Sequence, residues 1–261
     1  VQSGLTSGTL GVLVQERAVN AIGPGPWSPS ASIDMKMPTL VGSKTYSPTR
    51  NSTDQAISLT DLTGGIASAP AAGDVVIIAY GTGAGANRAI TVLAGDGYTA
   101  FVAKIYANFT EDLNFYTGYK FMPAAPTAPD TAVNITGTLN SADAGAVVIE
   151  VWRYLDPAGL DVAVVSQSGS GGQPTPGAIT PVTPHALIAV MGGGAGVTCV
   201  DFTSADLANF KVFTGNGTHD VAVGIGTKDW TSGAFQAAQF GGGEAGAGNA
   251  RASVVAAFKP Y

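Results

Sequence analysis

Asp156 and Asp161 stand on either side of a Pro-Ala-Gly turn, directly after Trp152-Arg153-Tyr154. Two carboxylates beside aromatic residues are the parts of a glycosidase, which sets its acids about 5–10 Å apart across a groove. The local sequence favours a structural reading: Asp156-Pro157 initiates a turn, and Asp161 opens the strand-like run that follows. His219-Asp220, after Thr214-Gly215-Asn216-Gly217-Thr218, would do acid–base work only beside a nucleophile, and none is identifiable. Thr110-Glu111-Asp112 and Asp201 offer oxygens to a structural Ca2+. No loop carries the alternating Asp/Asn pattern of a dedicated calcium site, so a solvated acidic turn is preferred and no cofactor is expected. Gly192–Gly196 lacks the following Lys or helix start of a phosphate cradle. Asn51, Asn108, Asn134 and Asn216 each begin an Asn-x-Ser/Thr triplet, which a Thr-rich chain produces by chance.

Aromatic residues near turns carry more chemistry. Tyr98 follows Gly95-Asp96-Gly97, and Trp230 sits in Lys228-Asp229-Trp230-Thr231-Ser232-Gly233. A ring face beside Asp, Asn or Thr is what sugar stacking uses, because a sugar presents CH faces and hydroxyl edges. The competing reading is that Trp230 packs on the rim of the core.

The elements that would position these residues are short strands. The chain has 261 residues, of which 45% are hydrophobic, 36 are Gly and 15 are Pro. Only 11% are charged, against about 25% in typical soluble domains. The net charge of −6 comes with scattered basic residues, which argues against nucleic acid. Cys199 is the only cysteine and His185 and His219 the only histidines, so there is little material for a catalytic or metal centre. No apolar run approaches the roughly 18 residues of a membrane helix, and no basic stretch leads into an apolar one at the start, so neither membrane insertion nor a signal peptide is expected.

Glycine and proline recur between runs rich in Val, Ile, Ala, Thr and aromatics: residues 74–80, 89–93, 98–107, 113–122, 132–136, 146–154, 161–166, 186–191, 210–213, 220–227, 234–240 and 252–259. This spacing predicts an all-β antiparallel sandwich. In Val147–Trp152 the alternation puts Val147, Ile149 and Val151 on one face and Val148, Glu150 and Trp152 on the other. Val75, Ile77, Val147, Ile149, Val151, Leu187, Val254 and Phe258 are the expected core. Residues 203–209 hold the best helix signal, a capped turn or two. Gly81–Asn87, Ser168–Gly172, Gly192–Gly196 and Gly241–Gly248 read as surface loops, and no repeat of 20–50 residues stands out.

The first forty residues differ. Two runs, Val12–Asn20 and Ser30–Met35, flank Ala-Ile-Gly-Pro-Gly-Pro-Trp-Ser, a stiff hinge. The pattern Ala18-x-Asn20-x-x-Gly23-x-Gly25-x-x-Ser28 resembles the last hairpin of a fibronectin type III module, with Pro38–Gly42 placed as the linker that follows. Val12 stands where that family has Tyr, and Glu16 where it usually has an apolar residue. Starting in mid-module, the chain reads as a fragment of a longer polypeptide. The expected division is 1–38 for the end of the module, 39–65 for linker and edge strands, and 66–261 for the sandwich.

The larger part resembles the jelly-roll-like sandwich of tailed-bacteriophage tail-fibre and tail-tip proteins and gene transfer agents. The likeness rests on the order of Ser68–Tyr80 (SAPAAGDVVIIAY), Gly145–Val162 (GAVVIEVWRYLDPAGLDV), Thr180–Gly194 (TPVTPHALIAVMGGG) and Ala250–Pro260 (ARASVVAAFKP). It implies a virion tail component, not an enzyme, that binds a host cell-surface polysaccharide, contacts other tail proteins and assembles as a homotrimer. A non-binding spacer of a virion fibre or bacterial surface adhesin is the alternative, and a depolymerase ranks third. Ligand contacts are expected on Gly81–Arg88, Lys228–Gly233 and Gly241–Asn249, with Asn87, Arg88, Tyr98, Asp229, Trp230 and Asn249 as the residues to watch.

Overall fold

The runs of β-branched and apolar residues form sheet. In the computed structural model 53% of residues are strand and 2% helix. The structure describes residues 9–14, 19–20, 23–24 and 31–261 apart from 125, 127, 138, 245 and 247; before Lys36, and at 128 and 129, it describes the backbone alone. At the start, β1 (Thr9–Val14) pairs antiparallel with β4 (Ala31–Lys36), and β2 (Val19–Asn20) with β3 (Gly23–Pro24). Ala18, Gly25 and Ser28 of the fibronectin-like pattern lie outside the described residues.

The remaining strands are β5 (Thr39–Tyr46), β6 (Asp54–Ser58), β7 (Val75–Ala84), β8 (Thr91–Val92), β9 (Thr99–Ala100), β10 (Ile105–Ala107), β11 (Asp112–Phe121), β12 (Ala132–Thr136), β13 (Ala144–Arg153), β14 (Leu155–Leu160), β15 (Val165–Ser170), β16 (Leu187–Gly196), β17 (Ala208–Gly215), β18 (Asp220–Asp229) and β19 (Ala250–Pro260). The first large sheet has the order β10-β11-β7-β13-β5, with β9 also on β11. The second has the order β14-β19-β16-β18-β17, with β15 also on β19. All these pairings are antiparallel. Each large sheet comes from one half of the chain, whereas the strands of a jelly roll cross between its sheets. A small third sheet, β6-β12-β8, completes the set, so residues 39–65 supply edge strands to two sheets.

Both faces of both large sheets are covered. Between them lie Val75, Ile77, Ala79, Val148 and Trp152 from the first sheet and Leu187, Ala189, Met191, Val254 and Phe258 from the second. The other face of the first sheet, with Val76, Ile78, Val147, Ile149 and Val151, packs on Ile57, Leu59, Val133 and Ile135 of the third sheet and its flanks. The other face of the second sheet, with Ile188, Val190 and Val255, lies under Ile179, Phe202, Leu207, Trp230 and Phe240 from loops. This is why Val75–Ile78 and Leu187–Val190 are apolar without alternation. All eight expected core residues are buried, and the two faces read from Val147–Trp152 separate as expected.

Four expectations change. Thr39–Gly42, placed in the linker, is the start of β5 and pairs with the end of β13. Gly81–Ala84 and Gly192–Gly196 are strand, the ends of β7 and β16, not loops. The sheets approach so closely there that a Cβ at Gly81 would lie 2.6 Å from Val223, at Gly83 2.2 Å from the Asp220 carbonyl oxygen, and at Gly193 2.7 Å from Phe115. Glycine is needed for close approach, not for a turn. Ser168–Ser170 likewise belongs to β15. The helical turn at 203–209 is absent: pairing with β18 draws Ala208 and its successors into β17, while Leu207 is buried in the outer core. Residues 234–240 form no strand but cross the outer face of the second sheet, held by one bridge between Ile179 and Phe235.

Candidate functional site

The antiparallel ladders divide the anticipated ligand residues between two ends. β7 and β16 start at one end, beside the finish of β11, β13, β18 and β19. Asp229 and Trp230 sit at that end. Asn87, Arg88 and Asn249 sit at the other. Tyr98 packs on the flank, against the core beneath the third sheet. The six residues therefore do not form one site.

Their side chains have structural work. Trp230 is 9% exposed, belongs to the outer core and donates its indole N–H to the Gly233 carbonyl at 2.7 Å. It forms part of the core rim. Trp230→Ala is expected to cost about 3 kcal/mol through lost packing, a fall in Tm of roughly 6–12 °C for a chain of this size, readable by calorimetry. Burial raises the pKa of the Tyr98 hydroxyl, and the Lys120 ammonium sits 5.7 Å from its ring centroid. Arg88 forks onto Asp143, with Nε to Oδ2 at 2.7 Å and Nη2 to Oδ1 at 3.3 Å, and Asn87 accepts from Lys104. Asn249 is buried, and its main-chain carbonyl accepts from Gly171 and Gly172. Asp229 is half-exposed and lies 3.3 Å from His185 Nδ1.

The acids weighed for chemistry are likewise bound into the fold. Asp156 accepts from the Ala158 N–H at 2.8 Å, and Asp161 gathers Val182 N at 2.6 Å and Thr183 N at 3.2 Å. Glu111 meets His219, Asp112 accepts from Tyr106, and Asp201 accepts from Thr214. Among the described residues, no group of three or more His, Cys, Asp or Glu is placed to hold a metal ion. Burial, with help from Asp220, pushes the Cys199 thiol up to about 12, so it stays protonated at neutral pH.

An open cleft of about 320 Å³ lies at the Trp230 end, walled by Lys36, Asp74, Arg153, Tyr154, Pro157 and Tyr261. Asp74 is fully buried and takes a two-pronged bond from Arg153, Nε to Oδ1 at 2.8 Å and Nη2 to Oδ2 at 2.9 Å. That bond raises the pKa of Arg153 and fixes its guanidinium at the cleft wall. Lys36 holds its ammonium 4.9 Å from the Tyr154 ring centroid. Tyr154 itself has φ 67°, a left-handed conformation uncommon for a bulky residue, and its carbonyl accepts from the Tyr261 N–H at 2.9 Å. Tyr261, 76% exposed, also borders a second, mostly apolar recess of about 250 Å³ with Met37, Pro184 and His185. An exposed ammonium, a guanidinium held by Asp74 and two phenol rings around one cleft suit a ligand with anionic groups and CH faces.

No protein-family model, curated protein or solved structure matches this chain. The sequence reading passed over Lys36, Asp74 and Tyr261. Arg153 and Tyr154 drew notice only as neighbours of Asp156. Their one local signal is the polar pair that ends the apolar run of β13; the joining of Asp74 to Arg153 comes from the β7–β13 pairing.

Proposed function

We propose that the chain is a non-catalytic attachment module of a virion tail fibre or tail tip, as its sequence resemblance implies, and that it holds an acidic surface polysaccharide in the cleft of Lys36, Arg153, Tyr154 and Tyr261. The observation that carries the reading is that cleft. Its guanidinium is pre-oriented by a buried carboxylate, and ring faces stand beside it. Pre-orientation lowers the entropy lost on binding, and carbohydrate ligands are met by aromatic faces with a few fixed polar groups. The double-faced burial of both sheets supplies a rigid mount whose ends can vary without disturbing the core.

Binding to a panel of acidic and neutral bacterial surface polysaccharides tests this. Lys36→Ala with Tyr261→Ala is expected to weaken binding to an acidic member about tenfold or more, with Tm unchanged, and the affinity of the unaltered chain is expected to fall with added salt. Unchanged binding in the double variant would place the ligand elsewhere. Binding to no member would favour the spacer reading, which draws on the opposite end, where Arg88, Lys104, Asp143, Glu111 and His219 are turned onto one another or onto backbone.

A further inference from the structure

The two large sheets repeat one another. Across each, the strands stand in the same chain-order pattern: β5-β13-β7-β11-β10 in the first and β15-β19-β16-β18-β17 in the second. The registers agree residue for residue. Val75 lies between Trp152 and Phe121, and Leu187 lies between Phe258 and Asp229. Asp112 faces Ala84, and Asp220 faces Gly196.

Irregular backbone is repeated too. Gly73 N bonds Met122 O at 3.1 Å and Met122 N bonds Asp74 O at 2.7 Å; His185 N bonds Trp230 O at 2.8 Å and Trp230 N bonds Ala186 O at 3.0 Å. Gly73 has φ 78°, and its counterpart His185 has φ 62°, a left-handed conformation that is uncommon for a residue with a side chain. Asp112 Oδ1 accepts from the N–H three residues earlier, Phe109, and Asp220 does the same from Gly217.

Once the structure supplies the alignment, the sequence shows the same correspondence. Asn108-Phe-Thr-Glu-Asp112 matches Asn216-Gly-Thr-His-Asp220, so two of the four Asn-x-Thr/Ser triplets are copies of each other. Gly118 and Lys120 match Gly226 and Lys228. Ala144, Ala146 and Val148 match Ala250, Ala252 and Val254, and Trp152-Arg153 matches Phe258-Lys259.

Contacts between the sheets come in exchanged pairs. Gly81 meets Val223, and Gly193 meets Phe115. Glu111 N bonds Gly248 O at 3.2 Å, and His219 N bonds Ala142 O at 3.1 Å. Parallel bridges join Glu111 to Asn249 and Asp143 to His219. Residue i on j matched by j on i is the signature of a two-fold interface. Glu111 and His219 are counterparts, and they touch each other, Nδ1 to Oε2 at 2.6 Å. A contact between counterparts lies on the axis.

We propose that Thr39–Arg153 and Val165–Pro260 are tandem copies of one unit, fused as the two subunits of a two-fold dimer, and that the Glu111–His219 pair on the axis makes each copy pair with the other instead of with a second copy of itself. Two like units pairing would put Glu against Glu or His against His. Two carboxylates within hydrogen-bond reach cannot both stay ionised, and two imidazoles lack the carboxylate acceptor. Only the mixed pair sets an imidazole donor against a carboxylate acceptor without the uptake of a proton by a second carboxylate.

The intact chain supplies the first test. His219→Glu is expected to lower Tm by about 5 °C or more, and transposing the pair, Glu111→His with His219→Glu, is expected to restore most of the loss. A transposed variant as unstable as His219→Glu, or a His219→Glu variant with wild-type Tm, overturns the proposal. The second test starts from folded full-length protein with a protease site at the exposed Pro157-Ala158, nicked, unfolded in urea, refolded and weighed by native mass spectrometry. The nicked wild type is expected to reassemble as the mixed pair. With Gln at both 111 and 219, which serves itself equally well, like pairs of each fragment are expected as well. Mixed pairs alone in the Gln variant overturn the proposal, and if the nicked chain does not reassemble, the transposition result decides.

Discussion

Aspartate in place of Val148 is expected to leave no soluble folded protein. Val148 is fully buried on β13, opposite Ala79 on β7 and Thr45 on β5, and its side chain belongs to the layer between the two large sheets. Two residues on along the same face of β13 stands another buried carboxyl, Glu150. An unpaired carboxylate there costs several kcal/mol or must take up a proton, and a whole domain is stable by only about 5–15 kcal/mol. Val148→Ala, which removes volume without adding charge, is expected to fold with a lowered Tm. Soluble expression and circular dichroism of the two variants read the difference. A cooperative β-sheet melt from Val148→Asp would refute the packing of the two sheets on each other.

Glu150 predicts a pH dependence. It is fully buried on the same inner face; Oε2 accepts from the Trp152 indole N–H at 2.9 Å, while Oε1 has no partner among the described residues. Burial pushes its carboxyl up from 4.5 to about 8, against smaller opposing effects of the Trp152 bond and Lys211. Between those two values the folded chain keeps a proton that the unfolded chain has released. The folded state binds more protons, so stability falls as pH rises through that window and levels off above it. Tm is therefore expected to decline from about pH 5 to about pH 8. Glu150→Gln keeps the shape and removes the ionisation; it is expected to flatten that decline and raise Tm at pH 8 by several degrees. Calorimetry of both proteins across the range checks this, and parallel profiles would assign the dependence to other groups.

The strands were legible because their signal is local. Apolar residues between glycines and prolines, with alternation in Val147–Trp152, reflect backbone geometry within a few residues of each side chain. Thus β12 falls at the anticipated residues, and β7, β11, β13, β16, β18 and β19 extend or shift them by a few positions. The candidate site was barely legible. Its central pairing, Asp74 with Arg153, joins residues far apart in sequence, and Lys36 reaches Tyr154 from the segment entering β5. Trp230 shows the same limit from the other direction. A tryptophan in a polar turn reads as a presented ring, but where the face points depends on what crosses over it; here that is the outer layer of the second sheet.

By itself the sequence determined that this chain is all-β, where its main strands run, and which side chains of Val147–Trp152 share a face. It also held the copied residues of the two halves, but as isolated likenesses, because the intervals between them differ and the period is far longer than that of a short-repeat array. Tertiary structure decided the rest. It made Gly81–Ala84 and Gly192–Gly196 strand, since a glycine that permits a turn and a glycine that permits two sheets to touch are the same residue, and only the neighbour across the gap separates the two uses. It also aligned the halves, because strand order and register compare positions through hydrogen bonds instead of through chain distance. Glu111 and His219 become partners only there: neither residue type nor spacing joins them, and the contact exists because two folded units meet about an axis.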